Sequence, residues 1–437
     1  MEYAFPGDLA DQVIARWHTF APRAEGTGPP LPSPAQLRHL LETAFFASLE
    51  REEGRDLRFV LCCTPDVEVW RDRFGEAVPI VPFQPARPVS VDAIRSLAPA
   101  VSPANAAILV RWPLDRQGAD ACEIAGILHV GAQLARARSG RSFHSPAAPF
   151  ALVIEVREPG EIHIYQGSVK LAACRSGQLH DQIAFSALEF LPINDILARG
   201  EAALRPAITT LEDELPTGSS DFLWTALLNT ILCIVNGVRE HGHGGTVLLV
   251  APGSEGTLPV RLKYDVDANA RVLAQRFIRF LNVGQELADR ERRRARGTGT
   301  GGAAALAALQ TAAFAADADL ADAADLISRW TAVDGAVVLG SDLRVLGFGA
   351  EIVLDAAAPV RAYEVCDGED PARTRPRVDS ESFGMRHRSA LRCVAVAANT
   401  AAFVVSQDGD VSFFWKQSGQ VFLKRNVNTA NPNVVGG

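Results

Sequence analysis

Two short runs in the last third of the chain carry the residue types that do chemistry on anions. In Phe383-Gly384-Met385-Arg386-His387-Arg388-Ser389-Ala390, two guanidiniums flank an imidazole just behind a glycine. Three such groups side by side repel one another unless an anion or a carboxylate lies between them, and a polyphosphate suits two planar, permanently charged forks. The small, apolar stretch 389–398 that follows predicts a buried helix. That puts the triplet at a helix N-terminus, where open N–H groups and the helix dipole add to anion binding. Upstream, Thr331-Ala332-Val333-Asp334-Gly335-Ala336-Val337-Val338-Leu339 sets an aspartate and a glycine at the mouth of an apolar strand. A carboxylate there can hold a divalent cation or accept a proton from a hydroxyl nucleophile, and Gly335 lets a ligand approach the backbone. Paired arginines, a carboxylate and a cation are the parts of a phosphoryl or nucleotidyl transfer site. Each run also has a plainer meaning. The triplet alone reads equally as a solvated face or a domain-interface cluster, and Asp-Gly alone as a turn before a strand.

The elements that must position these runs are legible from periodicity and turn chemistry. Strands are predicted at 335–339, 343–348, 350–353, 403–406, 411–415 and 421–424, with turns at Ser341-Asp342 and Gln407-Asp408-Gly409-Asp410. An alanine-rich region, 303–330, expected as two short helices, precedes them. Before it, a long helix over 267–296 ends in Glu291-Arg292-Arg293-Arg294-Ala295-Arg296 and runs into Gly297-Thr298-Gly299-Thr300-Gly301-Gly302. That composition reads as a flexible linker over 291–302, dividing an N-terminal region 1–290 from a C-terminal domain 303–437.

The N-terminal region is mixed. Ser33-Pro34 starts a helix with an apolar stripe at Leu37, Leu40, Leu41, Ala44 and Phe45. Strands are predicted at 57–64, 107–112, 122–130, 150–157, 161–166 and 169–174. In 161–166, Ile162 and Ile164 share one face and His163 takes the other, read as facing solvent. Helices over 186–204 and 221–240 follow. The second ends in His241-Gly242-His243-Gly244-Gly245, read as a glycine C-cap before a strand at 246–250. Two histidines and a glycine nest also suit a metal or phosphate, but no third ligand stands at suitable spacing. A helix, glycine turn and apolar strand recur at 229–250 and 325–339, a faint internal echo. The fold class is α/β (α+β): a C-terminal mixed sheet flanked by helices, preceded by a larger α/β N-terminal region.

Composition sets the outer bounds. The chain has 437 residues, is 48% hydrophobic and 22% charged, and carries a net charge of −8, so no global field draws it to nucleic acid or an anionic membrane. Seven scattered cysteines, odd in number and without metal spacing, suit reduced buried thiols. The opening MEYAFPGDLADQV lacks a signal-like pattern, and no apolar stretch is long enough to span a bilayer. A cytoplasmic protein is expected.

Asp334-Gly335-Ala336, then Arg386-His387-Arg388-Ser389-Ala390, then a Val404-Val405-Ser406 strand with an acidic glycine turn, resembles the diadenylate cyclase domain. That is the nucleotidyltransferase module of the DNA-integrity-scanning protein and its relatives. The resemblance covers 320–424, and the layout is similar to bacterial proteins in which such a domain follows a probable sensor region. It implies condensation of two ATP molecules into cyclic di-AMP with release of pyrophosphate. Asp334 would bind Mg²⁺ or Mn²⁺ near the attacking ribose hydroxyl, with Asp408 as a second candidate metal ligand. Gly335 and Ala336 would line the nucleotide, with Ser389 and Ser406 as further contacts, and Arg386, His387 and Arg388 would hold the triphosphate. Because the two ATP molecules react symmetrically, a homodimer or higher oligomer through the C-terminal domain is implied. The chain departs from the family pattern at Met385, where a threonine is usual, and at Ser406-Gln407-Asp408, where the family has Ser-Glu-Glu. A nucleotide-binding module without turnover is therefore the alternative expectation.

Overall fold

A computed structural model describes residues 5–17, 31–65, 80–112, 122–129, 151–167, 169–175, 177–180, 192–208, 219–267, 271–297, 303–354, 360, 362–365, 377–378, 383–427 and 429. The chain divides into two compact units. One is Met1–Ser139, Ser145–Phe185 and Asn433–Gly437; the other is Gly140–His144 and Ser186–Pro432. The architecture is mixed α/β in both.

In the first unit, α1 (Pro6–Trp17), α2 (Pro34–Ser48), β1 (Arg51–Glu52), β2 (Arg55–Asp56), β3 (Phe59–Thr64), β4 (Ile80–Pro88) and α3 (Val91–Leu97) come first. Then come β5 (Ala106–Arg111), β6 (Glu123–His129), β7 (Leu152–Glu158), β8 (Glu161–Gln166), β9 (Val169–Arg175) and β10 (Gln178–His180). Eight strands form one sheet in the order β10-β9-β8-β7-β3-β5-β6-β4. The helices cover one face, where Leu9, Val13, Leu37 and Leu41 share a core with Phe59, Leu61, Ile108, Ile154, Ile162 and Ile164. α2 begins as its sequence dictates: the Ser33 hydroxyl accepts from the Gln36 amide, and the Gln36 side chain accepts from the Ser33 amide. β4 carries Pro82, Pro85 and Pro88, which obscured it as a strand; it lies at the sheet edge, where missing donors are tolerated.

His163 needs correcting. It does take the face opposite Ile162 and Ile164, but it is only 6% exposed, with Nε2 2.7 Å from Glu161 Oε1. The opposite face of this sheet is itself buried, around Val60, Cys62, Leu109, Val153 and Tyr165, so alternation does not equal exposure here.

The second unit holds α4 (Asn194–Leu204), α5 (Ser219–His241), β11 (Gly245–Val250), β12 (Val260–Arg261), β13 (Tyr264–Asp265), α6 (Val272–Ala295) and α7 (Ala303–Arg329). They are followed by β14 (Ala336–Gly340), β15 (Val345–Ile352), β16 (Ala362–Glu364), β17 (Arg377–Val378) and α8 (Met385–Val396). β18 (Thr400–Val405), β19 (Val411–Gln417) and β20 (Gln420–Lys424) complete it. The alanine-rich region expected as two short helices is one continuous helix, α7. The sheet order is β12-β15-β14-β11-β18-β19-β20-β16-β17, with β13 also paired to β15. β11 runs parallel to β14 and antiparallel to β18, and all three are buried along their length. α8 lies on one face, where Ala390, Leu391 and Val394 pack on Leu248, Val338, Ala402, Val404 and Phe414. The alternate residues Val247, Leu249, Val337, Leu339 and Phe403 point the other way and are equally buried.

The compact unit that contains 303–432 also takes in the chain from Ser186, well before the glycine-rich stretch. Without β11, β14 and β18 would lose their shared partner. The echo noted in the sequence is physical: α5 into β11 and α7 into β14 are helix–turn–strand units whose strands pair in parallel. Burial pushes the thiols of Cys122 and Cys393 up to about 11 and about 12, so they stay protonated.

Ser33→Ala removes one half of the reciprocal cap on α2. We expect a loss of about 1 kcal/mol in unfolding free energy, read by urea denaturation of the full chain, with Ser33→Asp restoring most of it.

Candidate functional site

The register of three strands builds the site. Thr246 pairs with Ala336, and Gly245 with Val405. Following each ladder outward brings Asp334, Gly244 and Ser406 into line at one end of the sheet, at about 5 Å per strand. Gly335 (φ 123°) has no room for a side chain; a Cβ there would lie 2.5 Å from the Gly349 carbonyl carbon. The backbone carbonyl of Asp334 accepts from Lys263 Nζ at 3.1 Å, which anchors the turn and leaves the aspartate exposed at the strand mouth.

α8 delivers the basic triplet to the same end. Gly384 is its N-cap and offers no side-chain cap, so first-turn N–H groups point outward past Met385 and Arg386. The helix is fixed at its far end by Lys416 Nζ, which donates to the Ala395 carbonyl at 2.7 Å. The Arg386 guanidinium lies over Gly244: a Cβ on that glycine would sit 3.0 Å from Nη1 and 2.8 Å from the Val405 carbonyl oxygen. Gly244 (φ 63°) thus makes space for the guanidinium. The HGHGG stretch does cap α5, with Gly242 in the left-handed region, and His241 turns to Ser328 Oγ (3.0 Å) and Asp325 Oδ1 (3.4 Å) of α7. Its second glycine is a site residue that the sequence reading did not pick out.

The three basic residues differ in role. Arg386 is exposed and faces the strand ends. His387 is half-buried: Nε2 lies 3.2 Å from Ser412 Oγ on β19, and its ring stacks on Phe383 (5.9 Å) and meets Phe414 edge-on (5.9 Å). Burial first, then Arg425 and Arg386, lower its pKa below the ordinary histidine value, so it is a neutral imidazole at neutral pH. Arg388 and Ser389 are half-buried within the first turns of α8. Arg425, beyond the reach of the sequence signal, sits 5.0 Å over the Phe383 ring and pairs with Glu364 at 3.1 Å.

The turn after β18 is held tightly. Ser406 Oγ accepts from the Asp410 amide (3.0 Å), and the Ser406 amide donates to the Asp410 carbonyl (2.9 Å). Arg239 Nε of α5 donates to the Gly409 carbonyl at 2.9 Å. Ser406 therefore shapes the turn, and Gln407 and Asp408 are exposed at its tip. No group of three or more His, Cys, Asp or Glu side chains among the described residues is placed to hold a metal by itself. Exposed carboxylates that do not cluster, such as Asp334 and Asp408, suit a cation of the Mg²⁺ class, which keeps waters and takes most of its other oxygens from a bound polyphosphate.

Residues 27–129 match a family model described as "Probable sensor domain DACNV", so the N-terminal unit carries a probable sensor domain. No curated protein matches the chain. Among the described residues, no helix is long and apolar enough to cross a membrane.

Because the folded His387 pKa is depressed, the unfolded chain binds the extra proton first. Stability is full above the unfolded value near 6.5 and falls as pH drops from there toward the folded pKa. We expect the melting temperature of the wild type to decline over that window, and His387→Gln to flatten the decline, measured by calorimetry between about pH 5 and 8.

Proposed function

We propose that the end of the C-terminal sheet carrying Asp334, Gly244 and Arg386 binds ATP, and that the protein is a diadenylate cyclase whose output is set by its N-terminal sensor region. The observation carrying this reading is the strand register. It brings an exposed carboxylate and an exposed guanidinium at an open helix N-terminus to neighbouring strand ends. A probable sensor domain over 27–129 supports a regulated output domain downstream.

In this reading the triphosphate lies along the α8 N-terminus. Arg386 binds it in a fork, and the first-turn amides meet phosphate oxygens. Arg388 and Ser389 back that contact from within α8. His387, neutral and bonded toward Ser412, orients the helix start and adds no charge to the anion. Gly335 and Ala336 allow the nucleotide to lie against the β14 mouth. Asp334 orients the ribose 3′-hydroxyl and holds Mg²⁺ or Mn²⁺, with Asp408 as the second candidate ligand. The cation, when bound, neutralises developing charge on the phosphates. Each 3′-hydroxyl gives up its proton, to the Asp334 carboxylate or solvent, as its oxygen attacks the α-phosphorus of the other ATP. Its P–O bond to the leaving group breaks, and two pyrophosphates depart as cyclic di-AMP closes. The symmetry of that step calls for two copies of the domain facing each other, each bringing one ATP.

A second reading has its own observation. Met385 is 76% exposed at the first position of α8, and its thioether neither ligates a hard cation nor bonds a phosphate well; Gln407 stands in the exposed turn. Such a site would bind ATP or a cyclic dinucleotide as a signal without turnover.

Incubation with ATP and Mn²⁺, followed by chromatography for cyclic di-AMP, separates the two. Under the first reading product accumulates, Asp334→Asn lowers it by about 100-fold or more while ATP still binds, and Arg386→Ala weakens ATP binding by about 10- to 100-fold. ATP protection against thermal unfolding with no product selects the second reading. Neither protection nor product removes both.

A further inference from the structure

The opposite end of the C-terminal sheet carries a second concavity. There the β14–β15 hairpin turns through Ser341, Asp342 and Leu343, and α4 is pressed against it. Ser341 Oγ donates to the Ile196 carbonyl at 2.7 Å, and a Cβ on Gly200 would fall 2.1 Å from the Ser341 carbonyl oxygen. Between this hairpin, the end of α4 and the start of α6 lies a cleft of about 300 Å³. That is the lower end of the range for small-molecule sites.

The chemistry of its walls is uneven. Leu204, Pro252, Ala274 and Ile278 give it an apolar floor. On the hairpin side, Arg344 is already committed: it donates through Nε to Asp342 and through Nη2 to Glu255 at 2.8 Å. Two carboxylates against one guanidinium leave that wall with a surplus negative charge. On the α6 side stand Gln275 and Arg271. Arg271 occupies the N-cap of α6, makes no side-chain bond to the first turn, and forms no ion pair with a described residue. Its charge, uncommitted among the described residues, stands at the positive end of a 24-residue helix.

We propose that this cleft binds a small organic monoanion with a short apolar body, most simply a monocarboxylate. One uncommitted fork selects one carboxylate, with the Gln275 amide as a further donor and the hydrocarbon laid on the floor. A polyphosphate is disfavoured, because Asp342 and Glu255 repel any second negative charge at the far wall and Arg344, the other cation among the described lining residues, is already paired with them. The site is distinct from the Asp334 end. The hairpin it touches is the continuation of β14, whose five residues span about 17 Å to the Asp334-Gly335 turn.

The test uses the full chain, with hexanoate as probe and hexylammonium as its charge-reversed control, followed by saturation-transfer NMR and titration calorimetry. Hexanoate should bind and hexylammonium should not. Arg271→Glu, a change at an exposed position, should weaken hexanoate by about tenfold or more with the melting temperature unchanged, and Arg271→Lys should retain part of the affinity. Ile278→Trp, which fills the floor, should abolish binding. Equal binding of the two probes, hexanoate affinity untouched by Arg271→Glu, or no hexanoate binding up to about 20 mM would each overturn the proposal.

Discussion

The parallel ladder between β11 and β14, in register Thr246 with Ala336, fixes where every candidate group stands. A shift of one residue would turn Ala336 and Val338 away from α8 and expose a buried set to the wrong layer. It would also draw Asp334 back from the line it forms with Gly244 and Ser406. The ladder is held by burial on both faces. Leu248 and Val250 face α8, while Val247 and Leu249 face the opposite layer, each side chain contributing about 2 kcal/mol on transfer from water. Precision at the strand mouths is thus supplied by the core between the helices, and the mouths themselves are free to carry exposed charge.

Glycine makes the second half of the arrangement possible. Gly335 lets the chain enter β14 against the Gly349–Ala350 backbone, and Gly244 clears the space in which the Arg386 guanidinium lies. A side chain at either position would force the strand ends apart or push the arginine out. The basic triplet is then divided by burial. Arg386 keeps a solvated charge, whereas His387 is clamped between Phe383 and Phe414, and its pKa is depressed by that burial first and by its arginine neighbours second. Burial keeps that ring neutral, and the neighbouring positive charge acts in the same direction.

Much of this arrangement is legible in local sequence signals. The Ser33-Pro34 start of α2, the central strands of both sheets, and the placement of Arg386-His387-Arg388 at a helix N-terminus follow from capping, period and turn residues. By contrast, β10, β16 and β17 are too short to signal themselves, and the strands expected at 343–348 and 350–353 are one, β15. What stayed hidden is long-range. Nothing in Gly245–Val250 says that it pairs with β14 and β18, so a division of the chain at the glycine-rich run looked natural. β4 was masked by its prolines and is tolerated only because it is an edge. His163 shows the limit of alternation, which assigns a face but not what covers it. Gly244, Lys263 and Arg425 reach the site through tertiary contacts, Lys263 from 71 residues away from Asp334, and no short motif announces them.

The glycine-threonine run between α6 and α7 joins two helices of the same unit, and those helices hold each other. Arg276 donates to the Asp319 carbonyl at 2.7 Å and Arg279 pairs with the Asp319 carboxylate at 2.8 Å. The covalent connection at this point is thus supplementary to a noncovalent one. Cleavage there would yield two fragments that remain associated, each contributing strands to a common sheet, which makes the run a natural place to split the protein into complementing halves.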